Sequence, residues 1–202
     1  MKKEPPHTPG SNAPTSFTGD PLPCAHEEKE HLDAMQLHLL EEAFRNWVDQ
    51  SKRADHRRSR ERILMIFLII RHTGAKLSEV LAIDPLMDID PLERTLSFSS
   101  ATTGAERSAP KRSVFISEGL MTEIQRYFSF GNSKRMVAAS LNIDPAFVRK
   151  KFYERAQAIG FPKQMGGPEM IRKARAIELI QANMPIPAVQ MMLGFAPRTI
   201  PR

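Results

Sequence analysis

The sequence predicts a mainly α-helical fold carrying one small antiparallel β-hairpin, an α+β arrangement. Two observations carry this. Apolar residues recur at helical spacing through most of the 202 residues, and only two short stretches alternate at period two. Between those two stretches lies SATTGAERSAPK, a run rich in Gly, Pro and Ser that suits a loop.

Leu32, Met35, Leu39, Leu40, Ala43, Phe44, Trp47 and Val48 set out a first helix over about 27–49. A second, over about 54–72, opens charged and ends in ILMIFLII. That run is apolar all round, which places the helix at the centre of the core. Thr73-Gly74 stops it, because glycine takes the left-handed cap conformation at little cost. A short helix over 77–83 follows. TLSFS from Thr95 and RSVFIS from Arg112 then read as the two strands of the hairpin. Helices resume over about 118–129, 134–140, 145–159, 168–182 and 186–193. Asp144-Pro145 supplies the cap and first position of the helix over 145–159. No internal repeat is visible.

Residues 1–25 hold six of the sixteen prolines, with Ser, Thr and Gly between them, and balance two Lys against two acids. Such a stretch cannot bury enough apolar surface to offset the entropy lost on ordering, so a disordered tail is expected there. Residues 26–196 then form one domain. Residues 197–202 are a short C-terminal tail, and the ending FAPRTIPR reads like a truncated or frameshifted terminus.

Composition narrows the function. Lys and Arg number 29 against 23 Asp and Glu, a net charge of +6. The excess is clustered. Residues 26–50 carry seven acids against Lys29 and Arg45; residues 51–62 (SKRADHRRSRER) carry six cations against Asp55 and Glu61. Residues 146–175 carry eight cations against Glu154 and Glu169. Clustered positive charge points to an anionic partner. The longest apolar run, Ile63 to Ile70, is far short of the about 20 residues a membrane span needs. The single cysteine, Cys24, excludes an internal disulfide and a cysteine-based zinc site, and suits a reducing compartment. The MKKEPP start lacks the apolar stretch of a secretory signal, so a cytoplasmic protein is expected.

Several chemistries fall away on counting. All six histidines lie within the first 72 residues, and none forms a metalloprotease pair. His31 and His38, seven apart, read as surface residues rather than a metal pair. No Gly-x-Gly-x-x-Gly, no P-loop and no serine triad is present. No metal, cofactor or small-molecule partner is expected.

Three local patterns remain, in fixed order. The apolar helix ends RHTGAKLSEVLAI and is followed by Asp88-Ile-Asp90. The hairpin carries Arg107, Lys111 and Arg112 near its second strand. Then comes RKARAIELI from Arg172, followed by PAVQMMLG ending at Gly194. Together these resemble the catalytic domain of tyrosine recombinases and phage integrases over roughly residues 30–196. In that family a TGLR-SELL-L---DID segment follows a buried helix, a β-hairpin bears a lysine, and H-LRHT-A--L---G-----Q-LLGH precedes a tyrosine. Both boxes align without a gap.

The resemblance implies a fold, a partner and a chemistry. A tyrosine hydroxyl attacks a DNA phosphodiester and forms a covalent protein–DNA link. Two arginines clamp the non-bridging oxygens. A hairpin lysine and two His/Trp-type residues handle protons and position the phosphate. Carried onto this sequence, the first clamp arginine falls on Lys76, which keeps the charge but loses the bidentate fork. The box-two histidine falls on Glu169, an anion facing an anion. The second clamp arginine is retained as Arg172. The LGH histidine falls on Phe195. The hairpin lysine matches either Lys111 or the position of Arg107. The tyrosine is expected beyond Phe195, and neither Tyr127 nor Tyr153 lies there. These departures together imply a recombinase fold that has given up strand cleavage and kept its DNA surface. FVRKKFYERA and RKARAIELI further resemble the integrase-like domain of bacterial regulators that respond to molybdate or tungstate.

The expected partner is double-stranded DNA, with self-association on DNA left open. Arg149, Lys150, Lys151 and Arg155 on one helix, and Arg172, Lys173 and Arg175 on the next, are of the type that meets phosphates. With Lys76, Arg107, Lys111 and Arg112 they make the expected contact set; a solvated charged face is the plainer alternative. Arg53, Arg57, Arg58 and Arg60 begin the core helix and fit ordinary surface charges. The competing function is a site-specific recombinase or integrase whose nucleophile comes from a partner subunit.

Overall fold

A computed structural model describes residues 31–99, 111–128 and 140–195. The expected tails 1–25 and 197–202, the hairpin loop 100–110 and nearly all of the expected helix 134–140 lie outside the described residues.

Order in the fold begins with a cap. The Asp33 carboxylate accepts from the Gln36 amide at 2.8 Å, and the Gln36 side chain accepts from the Asp33 amide at 3.0 Å. This reciprocal box starts helix α1, Ala34–Asp49. The expected start near 27 is thereby corrected, because residues 31–33 are not helical. Helix α2, Ala54–Thr73, runs through the centre, and Ile66 to Ile70 are wholly buried. Each such side chain contributes about 2 kcal/mol on leaving water. Phe44 of α1 stacks on Phe67 of α2 at 4.3 Å, and both meet Phe152 edge-on, at 5.1 and 6.0 Å.

Phe152 belongs to helix α5, Pro145–Ala158, so that ring trio ties α5 to the consecutive helices α1 and α2, far before it in sequence. As expected, Asp144 caps α5, accepting from the Ala146 and Phe147 amides, with Pro145 in the first turn. Between them in the chain come α3, Leu77–Leu81, and α4, Glu118–Phe128. After α5 a tight 3-10 turn, Lys163–Gly166, was not foreseen. It sits directly against α5: a Cβ on Gly166 would lie 2.7 Å from the Phe152 carbonyl oxygen. Helices α6, Pro168–Gln181, and α7, Ile186–Met192, complete the order.

The expected hairpin is a three-stranded antiparallel sheet. Strand β1, Ile89–Asp90, pairs with β2, Thr95–Ser99, which pairs with β3, Lys111–Phe115. Strand β1 is two residues long, too short for alternation to reveal. Leu96, Phe98 and Val114 face the core. The result is a mostly helical fold with a small antiparallel sheet at one edge. Among the described residues no helix is long and apolar enough to cross a membrane.

Candidate nucleic-acid interface

The end of α2 organises the site. The Thr73 hydroxyl donates to the Ile69 carbonyl at 2.6 Å and accepts from the Ala75 amide. Gly74 then turns the chain at φ +67°, a conformation that costs most side chains about 1 kcal/mol or more. This turn delivers Lys76, exposed, to the start of α3. The Lys76 amide donates to Glu79 Oε2 at 2.7 Å, and the same oxygen accepts from Arg112 Nη2 at 2.8 Å. Glu79 is buried and Arg112 nearly so. Burial lowers the Arg112 pKa, the Glu79 carboxylate opposes that, and the Arg172 charge adds to it. The Arg112 guanidinium also lies over Phe98, its cross-strand neighbour, at 4.6 Å.

Arg172 is only 8% exposed. Its Nε donates to the Gly74 carbonyl at 2.8 Å and its Nη2 to the Leu193 carbonyl at 2.5 Å. Those carbonyls close α2 and α7, so one guanidinium joins the C-terminal ends of two helices to α6. The Phe195 ring covers it at 4.8 Å. Glu169, well exposed, holds its carboxylate 3.7 Å from Arg172 Nη1. Gly194, at φ +71°, lies against Arg112: a Cβ there would sit 2.8 Å from Arg112 Nε. The fold thus gathers Lys76, Arg112, Glu169, Arg172 and Phe195 from three parts of the chain.

The other expected contact residues divide. Arg149, Lys150 and Lys173 are exposed. Lys111 is partly exposed and donates to Asp88 at 2.7 Å. Lys151 pairs with Glu154 at 2.8 Å and lies over Phe147. Arg155 lies over the Trp47 ring at 4.8 Å, and burial lowers its pKa. Arg175 shares Glu178 with Arg71, whose fork grips that carboxylate at 2.7 and 2.8 Å. Arg107 lies outside the described residues. Two cations of the earlier basic stretch are paired with carboxylates and a third with a carbonyl. Arg53 pairs with Asp55, Arg57 with Glu61 and Asp49, and Arg60 donates to the Trp47 carbonyl.

Sequence reasoning missed Glu79, Asp88 and Glu178 as the anions that hold Arg112, Lys111 and Arg71. Glu79 and Asp88 lie in the quoted box and its DID, but nothing local says which cation folds back onto them. Among the described residues no group of three His, Cys, Asp or Glu could hold a metal ion.

This arrangement is a tyrosine-recombinase catalytic-domain-like fold. The chain is similar to the crystal structure of XerA recombinase, with TM-score 0.62 and 18% identity over 83% of this chain and 56% of that one. It is similar to XerH site-specific recombinase bound to difH substrate in a pre-cleavage complex, with TM-score 0.64 and 18% identity over 83% of this chain and 48% of that one. It is also similar to the Tn1549 transposon integrase in complex with transposon right end DNA, with TM-score 0.57 and 18% identity over 83% and 58% of the two chains. The chain spans about half the length of these structures. No protein-family model and no curated protein matches it.

Proposed function

We propose that this chain is a DNA-binding protein that keeps a recombinase-like fold without strand-cleaving chemistry, and that it serves as a transcriptional regulator in the bacterial cytoplasm. The observation that carries this is the surroundings of Arg172. Two backbone carbonyls take its N–H groups, the Phe195 ring covers one face, and the Glu169 carboxylate stands at its edge. A phosphate clamp needs guanidinium forks open toward the incoming anion. Here the fork at one family position is occupied, and the other position holds Lys76, a point charge. Glu169 repels an approaching phosphate.

Backbone binding needs less. Exposed cations that displace counterions suffice, and Lys76, Arg149, Lys150 and Lys173 are of that kind. The fold likeness to proteins solved on DNA substrates supports the same partner. The test is a gel shift with random duplex, in which binding weakens steeply as salt rises. No shift at about 50 mM salt sinks the proposal.

A second reading, a site-specific recombinase or integrase with a nucleophile supplied by a partner subunit, is favoured by the fold likeness itself. A nicked suicide duplex separates the two. The regulator gives no covalent protein–DNA band; a recombinase traps one.

A further inference from the structure

A cavity of about 720 Å³ opens between α1, α2 and α4. Its α2 wall runs from Ala54 to Met65. Arg58 in that wall precedes Gly74 by sixteen residues, roughly 24 Å along the helix. The cavity is therefore separate from the Arg172 cluster, and the inference stands without the DNA reading.

Val48, Leu64, Met65 and the Tyr127 ring supply the apolar part of a mostly polar lining. The rest of the lining is largely charged, and its acids are already engaged. Glu123 is held by the Arg45 fork at 2.9 and 3.1 Å, an ion pair that spans from α1 to α4. Asp49 and Glu61 both meet Arg57. Arg58 and Arg126 also line the cavity, and both are exposed. Neither meets a carboxylate among the described residues. The lining carries four guanidiniums against three carboxylates, a net charge of +1, and the two guanidiniums that meet no carboxylate come from different helices. Burial also raises the Tyr127 pKa, so its phenol stays neutral beside them.

We propose that this cavity binds a small organic anion, a carboxylate or phosphate carried on a flat apolar body. The anionic group would be shared by Arg58 and Arg126 and the body would lie on Met65, Leu64 and Tyr127. Guanidinium forks suit planar oxyanions, and a cavity of this size suits a one- or two-ring compound.

The test is calorimetric titration of the full chain with naphthoate, and with the neutral naphthyl alcohol. The expected result is one saturable site for naphthoate, with the alcohol at least tenfold weaker. Arg58→Gln with Arg126→Gln should weaken naphthoate at least tenfold while circular dichroism stays unchanged. Arg149→Gln with Lys150→Gln should leave it alone. Unchanged affinity in the Arg58/Arg126 variant overturns the proposal. So does equal binding of the alcohol, or no saturable naphthoate binding.

Discussion

The guanidinium carbon of Arg172 lies 4.8 Å from the centre of the Phe195 ring. Beneath that ring, the same guanidinium donates to the carbonyls of Gly74 and Leu193. A residue that the family resemblance assigns to a phosphate is held by the protein's own backbone and roofed by an aromatic side chain. Its contribution to stability is accordingly measurable apart from any DNA.

Removing Arg172 leaves two buried carbonyls without donors and a gap between α6 and the ends of α2 and α7. Arg172→Ala should cost about 3 kcal/mol, since hydrogen bonds to a charged group contribute about 1.5–3 kcal/mol each. Urea denaturation reads this directly. Arg172→Lys should lose most of the same stability, because one ammonium cannot reach both carbonyls in fork geometry. A variant as stable as the parent would show that the carbonyls are satisfied otherwise.

The Glu79–Arg112 pair predicts an asymmetry. Glu79→Ala strands a mostly buried guanidinium and frees the Lys76 amide, and should cost about 3–5 kcal/mol. Glu79→Leu combined with Arg112→Met removes both charges and should cost much less. A double-mutant cycle checks this; equal losses in the single and double variants contradict it.

Arg149 and Lys150 are exposed on α5, so they should act on DNA alone. Replacing both with Ala should lower the slope of log affinity against log salt by about two units. Melting temperature should not change. A slope equal to the parent's would remove α5 from the interface.

His72 ties stability to pH. It is largely buried in the last turn of α2, and burial first, then the charges of Arg71 and Arg175, lowers its pKa from 6.5. The folded state therefore binds this proton less readily than the unfolded chain does. As pH falls below about 6.5 the unfolded state takes up the proton first, and stability declines. Above that value His72 contributes no slope. His72→Gln should flatten the urea midpoint below about pH 6.5 relative to the parent; an identical profile would assign the slope to other groups.

Gly74 tests the turn itself. At φ +67° an added Cβ is strained, and it would overlap Leu193 Cδ2. Gly74→Ala should cost about 2–4 kcal/mol, the left-handed penalty plus overpacking of α7. A loss below about 1 kcal/mol would mean that α7 moves away freely.

Much of the fold was legible because its signals are local. The apolar run of α2, the Asp144-Pro145 start of α5 and the alternation in β2 and β3 each depend on neighbours within a turn or a strand. Where a signal was too short, as in β1, or where a nearby cap overrode a longer pattern, as at Asp33, the expectation missed.

The site divides along the same line. By itself, the sequence determined which residue types stand at the two family-like boxes: a lysine at 76, a glutamate at 169, an arginine at 172 and a phenylalanine at 195. It also determined where the positive charge is dense. Only the tertiary structure decided which of those charges stay open to a partner. Arg112 and Arg155 look alike in sequence to Arg149 and Lys150, yet one is engaged by a carboxylate and the other by a ring from distant segments. The physical reason is range. Helical and strand preferences are set within a few residues, whereas an ion pair such as Arg112–Glu79 or Arg71–Glu178 exists only once packing brings distant segments within about 3 Å and takes them out of water.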